Sequence, residues 1–163
     1  MIALGHISYP SLAFIILAKL FGIEYNMSHL LLLMLFSVLP DMDFFFHTIV
    51  RKGKYDSSFQ HHKWFTHWPI FYLPLLVLLY FYPSMALFVV CLGIYSHLAL
   101  DTLFCDDGIM IFYPFSKKFY NFFGSKFRNA HGMDWLNVYK KQRIFKLDVA
   151  SFISLLIILI RRI

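Results

Sequence analysis

The stretch "SMALFVVCLGIYSHLALDTLF", Ser84 to Phe104, is apolar along nearly its whole length and carries one histidine and one aspartate near its end. It is about as long as the ~20 residues a helix needs to cross a bilayer. It lacks the period-two alternation of a half-buried strand, so it reads as a membrane helix. His97 and Asp101 are four apart, which places them on one helix face, one turn from each other. Ionisable groups inside such a segment are costly and tend to be functional and partnered. The pair is either a self-contained hydrogen bond in the core or part of a larger polar site, and the rest of the chain bears on which.

Composition points the same way as the stretch. The 163 residues suit one domain, and 60% are hydrophobic against 15% charged, with a mean hydropathy of +0.64. Soluble domains are nearer 45–50% apolar and about 25% charged, so a membrane protein is favoured over a greasy soluble helical core. Cys91 and Cys105 are far apart and form neither a disulfide framework nor a CxxC zinc site. Cys91 reads as a small buried hydrophobe. The start, "MIALGHISYP", has no Lys or Arg before its apolar run. It lacks the charged region of a signal peptide, so His6 is expected in the mature protein.

Four more apolar segments surround the opening stretch: Ile7–Ile23, Ser28–Leu39 ending at Pro40, Trp68–Tyr82, and Val149–Ile160, than which none is shorter. Phe44–Phe46 could lengthen the second. The expected fold class is all-α, an integral membrane helical bundle of four to five helices with a polar metal layer at its cytoplasmic end. It forms one domain over 1–163, with a basic and aromatic interfacial segment over 116–147 and a C-terminal apolar helix over 148–163. Of 15 Lys and Arg, four lie between Arg51 and Lys63 and eight between Lys117 and Lys146. These stretches flank the pair 68–104, so a hairpin turning at Pro83 puts both on one side. By the positive-inside rule that side is cytoplasmic. Arg161 and Arg162 fit less well if the last helix crosses.

An up-down bundle brings alternate helix ends together. His6 starts the first segment, Asp41 and Asp43 follow the second, His62 and His67 precede the third, and His97 and Asp101 end the fourth. All seven are expected in one layer. Taken singly, His6 could be a polar helix start, and Asp41 and Asp43 could cap a helix after Pro40. His61 reads as an interface residue. His62 and His67 would sit about 140° apart on a continuous helix, so they suit a loop entering one. Imidazole with carboxylate and no paired Cys suits Zn²⁺, Mn²⁺ or Fe²⁺. The mix of Lys, Arg and rings over 113–135 could stack on single-stranded nucleic acid, but no readout motif accompanies it. Lipid headgroups are the expected partner there. His131 and Asp134 read as an interfacial pair.

These motifs resemble a family of small bacterial inner-membrane metal-dependent hydrolases, described as LexA-regulated inner-membrane hydrolases. The resemblance rests on Gly5-His6, on Leu39-Pro40-Asp41-Met42-Asp43, on His62 to Thr66-His67, and on Ser96-His97 with Asp101, Leu103, Gly108 and Pro114-Phe115. It covers about residues 1–115 in order, with Lys63 where the family has Arg. The family is distantly similar to zinc-dependent phospholipase C and P1 nuclease. By that analogy Asp41, His67, His97 and Asp101 hold one metal, and His6 with a bridging Asp101 helps hold a second. His62 is a further ligand or a partner of one.

The resemblance implies a metal-dependent hydrolase of phosphoester bonds, acting on a lipid, lipid-linked or small-molecule phosphate. The expected cofactor is one or two divalent transition metal ions, Zn²⁺ first, with Mn²⁺ or Fe²⁺ as alternatives. Asp43 would orient a ligand, ligate or act as a base, and Lys63 would neutralise a substrate phosphate. A second reading is a non-catalytic membrane scaffold with a structural metal. A third is a metal or proton relay, which clustering at one end argues against. The expected location is the bacterial inner membrane, multi-pass, with the site facing the cytoplasm. No feature of the pattern sets an oligomeric state.

Overall fold

A computed structural model describes residues 2–50, 61–105, 107–123 and 139–161, with the backbone alone at Phe44, Phe45, Thr48 and His61. Among these residues the chain is helical, and the one extended pairing is an isolated antiparallel bridge between Ile109 and Tyr120. The α-helices are α1 (Ala3–Phe21), α2 (Met27–Phe36), α3 (Met42–Val50), α4 (Leu73–Phe81), α5 (Met85–Phe104) and α6 (Arg143–Ile160). Short 3-10 turns cover Leu39–Asp41, His61–Lys63, Phe65–His67 and Pro69–Tyr72.

Local chemistry sets the helix ends. Gly22 closes α1 in the left-handed region, at φ 64°, which a residue without Cβ adopts freely. Asn26 caps α2 by accepting from the His29 amide, while the His29 ring accepts from the Asn26 amide. This reciprocal box accounts for His29. Pro40 opens a 3-10 turn, as its missing N–H allows, and ends α2 as expected. Ser84 caps α5 through the Leu87 amide.

α1, α2, α5 and α6 share a core of Phe14, Ile15, Leu30, Leu33, Val89 and Leu155. α2 and α5 cross closely at Gly93, where a Cβ would come within 2.8 Å of the Leu33 carbonyl oxygen. Small residues let helix backbones approach in this way in membranes. A second cluster, Tyr72, Ile94, Leu98 and Ile109, packs the α4 side of α5. The outward faces are apolar too. Ile16, Leu17, Leu20, Phe21, Leu31, Leu35, Val77 and Phe81 are all exposed. Large exposed apolar patches are rare on soluble monomers.

α1 and α5 are long and apolar enough to cross a membrane, whereas Met27–Phe36 and Pro69–Phe81 are shorter apolar segments. Two boundaries differ from the sequence reading. The Phe44–Phe46 run does not lengthen α2; it belongs to a separate helix, α3, beyond the 3-10 turn that Pro40 starts. The last helix begins at Arg143, inside the segment expected to be interfacial, and is far from the shortest. Its early charges hide it in a hydropathy reading, yet Arg143 and Lys146 are exposed while Asp148 is fully buried against α1. His131 and Asp134, and the basic residues Arg51, Lys52 and Lys54, lie outside the described residues.

Candidate metal centre

The described segment before α4, residues 61–72, packs against the second half of α5: Tyr72 meets Ile94 and Leu98, and the Tyr95 hydroxyl donates to the Pro69 carbonyl at 3.3 Å. Two consecutive 3-10 turns carry His62 and His67 inward, with ring centroids 4.8 Å apart. The Tyr72 hydroxyl donates to the Thr66 carbonyl at 2.8 Å and ties this entry to the helix behind it. His6 comes from the first turn of α1, Asp41 from the turn after α2, Asp43 from the first turn of α3, and His97 and Asp101 from the end of α5. The segment after α5 closes over that end, with the amides of Phe122 and Phe123 donating to the carbonyls of Thr102 and Leu103.

Asp41, His67, His97 and Asp101 form a donor set. His97 Nε2 lies 2.9 Å from Asp101 Oδ2, 3.5 Å from Asp41 Oδ1 and 3.4 Å from His67 Nε2. His67 Nε2 lies 3.4 Å from Asp41 Oδ1 and 3.7 Å from Asp101 Oδ2. Four donors around a tetrahedral ion with bonds of 2.0–2.1 Å are separated by about 3.3–3.4 Å. These separations scatter about that value, so the residues fit a divalent cation. Asp101 Oδ2 is buried, and besides His97 it has the Nε2 atoms of His62 and His67 at 3.7 Å each. With Asp41 and His67 also within 3.5 Å of His97 Nε2, the pair is not self-contained.

The far nitrogens of three imidazoles face acceptors. His97 Nδ1 is 2.8 Å from the Ser37 carbonyl oxygen. His62 Nδ1 is 2.6 Å from Asp107 Oδ1. His67 Nδ1 is 3.6 Å from Asp43 Oδ2, with the Thr66 hydroxyl between them at 3.2 Å from the ring and donating to the carboxylate at 2.9 Å. Partners of this kind fix ring orientation and leave Nε2 basic, as is usual for metal-bound histidine.

The second oxygen of Asp101 serves another group. Oδ1 is 3.2 Å from His6 Nε2 and accepts from the Cys105 thiol at 2.8 Å. His62, Asp101 and Cys105 also lie close enough to share an ion. Cys105 and Asp107 were not read from the sequence as site residues. The missed signal was spacing: His97, Asp101 and Cys105 continue the same i, i+4 face for one more turn. Lys63 stands on the His62 turn and is exposed, outside the buried cluster. Burial opposes charge on Asp41, but His97 and hydrogen bonding from His67 and His97 hold its carboxyl well below the usual range. Burial also opposes charge on His62, yet Asp107 and then Asp101 raise it to about 9. Burial, followed by Asp101, pushes the Cys105 thiol well up.

Accessibility differs within the donor set. His67, His97 and Asp101 are at most 1% exposed, whereas Asp41 is 25% exposed. The set therefore has one open edge, at Asp41.

Residues 1–163 match the model of the YdjM inner membrane protein family. No curated protein and no solved structure matches the chain.

Proposed function

The chain belongs to the YdjM inner membrane protein family, and we propose that it is a multi-pass, metal-dependent hydrolase of phosphoester bonds whose site faces the cytoplasm. The observation that carries this reading is the donor set of Asp41, His67, His97 and Asp101, spaced for a tetrahedral ion and open at Asp41. These four would hold one divalent transition metal, zinc first by donor chemistry. His6, His62 and Cys105, with the other oxygen of Asp101, would hold a second. A cation bound there supplies Lewis acidity toward a phosphoryl oxygen and lowers the pKa of water.

The chain's own groups do the rest. Asp43, with Thr66, sets the tautomer and tilt of His67, and Asp107 does the same for His62. Lys63, exposed on the turn beside His62, neutralises a substrate phosphate. A site at the end of a membrane bundle favours a lipid or lipid-linked phosphate. One observation favours the second reading, a structural metal in a non-catalytic scaffold: the chain itself supplies four donors, as closed structural sites do.

Purified protein is expected to carry one or two transition metal ions and to hydrolyse bis(p-nitrophenyl) phosphate in a chelator-sensitive way. Asp41→Asn is expected to lower turnover on the order of 100-fold. Metal bound with no hydrolysis of phosphodiesters or phosphomonoesters selects the structural reading, and absence of metal from the wild type sinks both.

A further inference from the structure

We infer that Asp148 on α6 is a positioning residue for His6, acting through the first turn of α1. Three of the clustered imidazoles are held from behind by an acceptor: His97 by Ser37, His67 by the Asp43–Thr66 pair, and His62 by Asp107. His6 differs. Its Nε2 faces Asp101 and its ring stacks on His97 with centroids 4.0 Å apart, but its buried Nδ1 has no hydrogen-bond partner among the described residues. Besides Asp101 and His97, the ring's place therefore depends on its backbone.

Within its own helix that turn is held by backbone bonds alone, the Gly5 and His6 amides donating to the Ile2 carbonyl at 3.0 and 3.3 Å. Ile2 offers no side-chain cap to α1. Pro10, inside the helix, has no N–H to give the His6 carbonyl. What presses on the turn instead is Asp148. A Cβ on Gly5 would lie 2.7, 2.8 and 2.9 Å from Asp148 Oδ1, Cγ and Oδ2. The near-equal distances mean that the carboxyl plane lies flat against Gly5, the residue before His6. A carboxylate at the positive end of a helix is favourable. Only glycine admits it so closely, which gives Gly5-His6 a physical reason as a unit.

Asp148 is itself anchored. It is fully buried, the Tyr139 hydroxyl donates to its Oδ2, and Ser151 donates to its carbonyl oxygen at 2.9 Å. The Ser151 hydroxyl also meets that of Ser8 on α1 at 2.7 Å. An isolated buried carboxylate is expensive, and an apolar residue would join two helices at less cost. The polar seam is where α6 sets the register of α1 against the cluster.

The test uses full-length protein in detergent micelles and two readouts. The first is the imidazole NMR signals of His6 and His97 in metal-free protein. The second is Co²⁺ titration, which rests on the metal-binding reading above. Asp148→Ala is expected to move the His6 signals and to weaken the second equivalent of Co²⁺, the one involving His6, by about 10–100-fold. The first equivalent should hold. Asp148→Asn, which keeps the shape, should restore both readouts. Gly5→Ala should act like Asp148→Ala, and the two changes together should be less than additive. Unmoved His6 signals in Asp148→Ala and Gly5→Ala overturn the inference, as does equal weakening of both equivalents. If Asp148→Ala does not fold, Tyr139→Phe removes only the hydroxyl that holds the carboxylate. It should move the His6 signals in the same direction, and unmoved signals overturn the inference. If the wild type binds no Co²⁺, the metal reading falls, while the ring signals still decide the role of Asp148.

Discussion

Two parts of the bundle are equally closed to the surroundings and are built on opposite chemistry. Where α1, α2, α5 and α6 cross, Leu30, Leu33, Val89 and Leu155 are at most 1% exposed, and their neighbours are alkyl and aromatic groups. At the start of α1, the end of α5 and the 3-10 turn that carries His67, the side chains of His6, His67, His97 and Asp101 are just as buried, and they neighbour one another. The apolar crossing divides its packing over many interchangeable contacts, so the loss of one side chain leaves the others in place. In the polar layer each group faces specific partners, and removing one strands the rest in a low-dielectric region. Tolerance in the first region and interdependence in the second are what mutation can test.

The largest effect is expected where the two donor groups share a residue. Asp101 gives Oδ2 to the His97 side and Oδ1 to the His6 and Cys105 side. Asp101→Asn keeps the shape and removes the charge that both cations would need. Elemental analysis of the purified variant is expected to find neither ion. One retained ion would show that the two groups are independent and would break the picture of a single interdependent layer.

The crossing should answer differently. Leu33 is fully buried in α2, where its carbonyl meets Gly93 of α5. Leu33→Ala opens a cavity, and buried leucines cost about 2–5 kcal/mol when truncated. In a bilayer the separated helix keeps its side chain in lipid, so lost packing is the main term. We therefore expect the low end, about 2 kcal/mol, or roughly 30-fold in the unfolding constant. Denaturant titration in micelles reads it. Metal content should stay at the wild-type level, and a parallel loss of metal would merge the two regions.

How much of this was legible in the sequence follows the same division. Hydropathy marks the apolar helices because each carries its own signal, and Pro40 and Pro83 mark where two of them end. The polar layer was legible where chain order and spacing suffice. His97 and Asp101 declare themselves by a four-residue step inside an apolar run, and an up-down topology brings His6, Asp41, His62 and His67 to the same end. Cys105 was passed over because a lone thiol outside a CxxC pattern carries no metal signal, although it repeats the four-residue step. Asp107 lies beyond the helix, where periodicity stops. The start of α6 and the seat of Asp148 were not legible, because Arg143, Lys146 and Asp148 lower local hydropathy. Nothing in one sequence pairs position 5 with position 148.

The finest test falls on Asp43, for which the sequence reading left three roles open: orienting a ligand, ligating, or acting as a base. Asp43 Oδ2 faces Nδ1 of His67, whereas the donor set converges on Nε2 of the same ring. A carboxylate behind the ring can hold the imidazole without touching the ion. The Thr66 hydroxyl donates to that oxygen, so the carboxylate is fixed before any cation arrives. Asp43→Ala should then leave the number of bound ions unchanged and weaken the affinity of the His67-containing position by about tenfold. That is smaller than the loss of Asp101 because the donor atoms all remain. Competition titration against a chelating dye measures the shift. A variant short by one ion would place Asp43 among the ligands. Wild-type affinity with lost turnover would make it the base. A tenfold loss with full stoichiometry leaves it as the group that holds His67 from behind, in the way Ser37 holds His97.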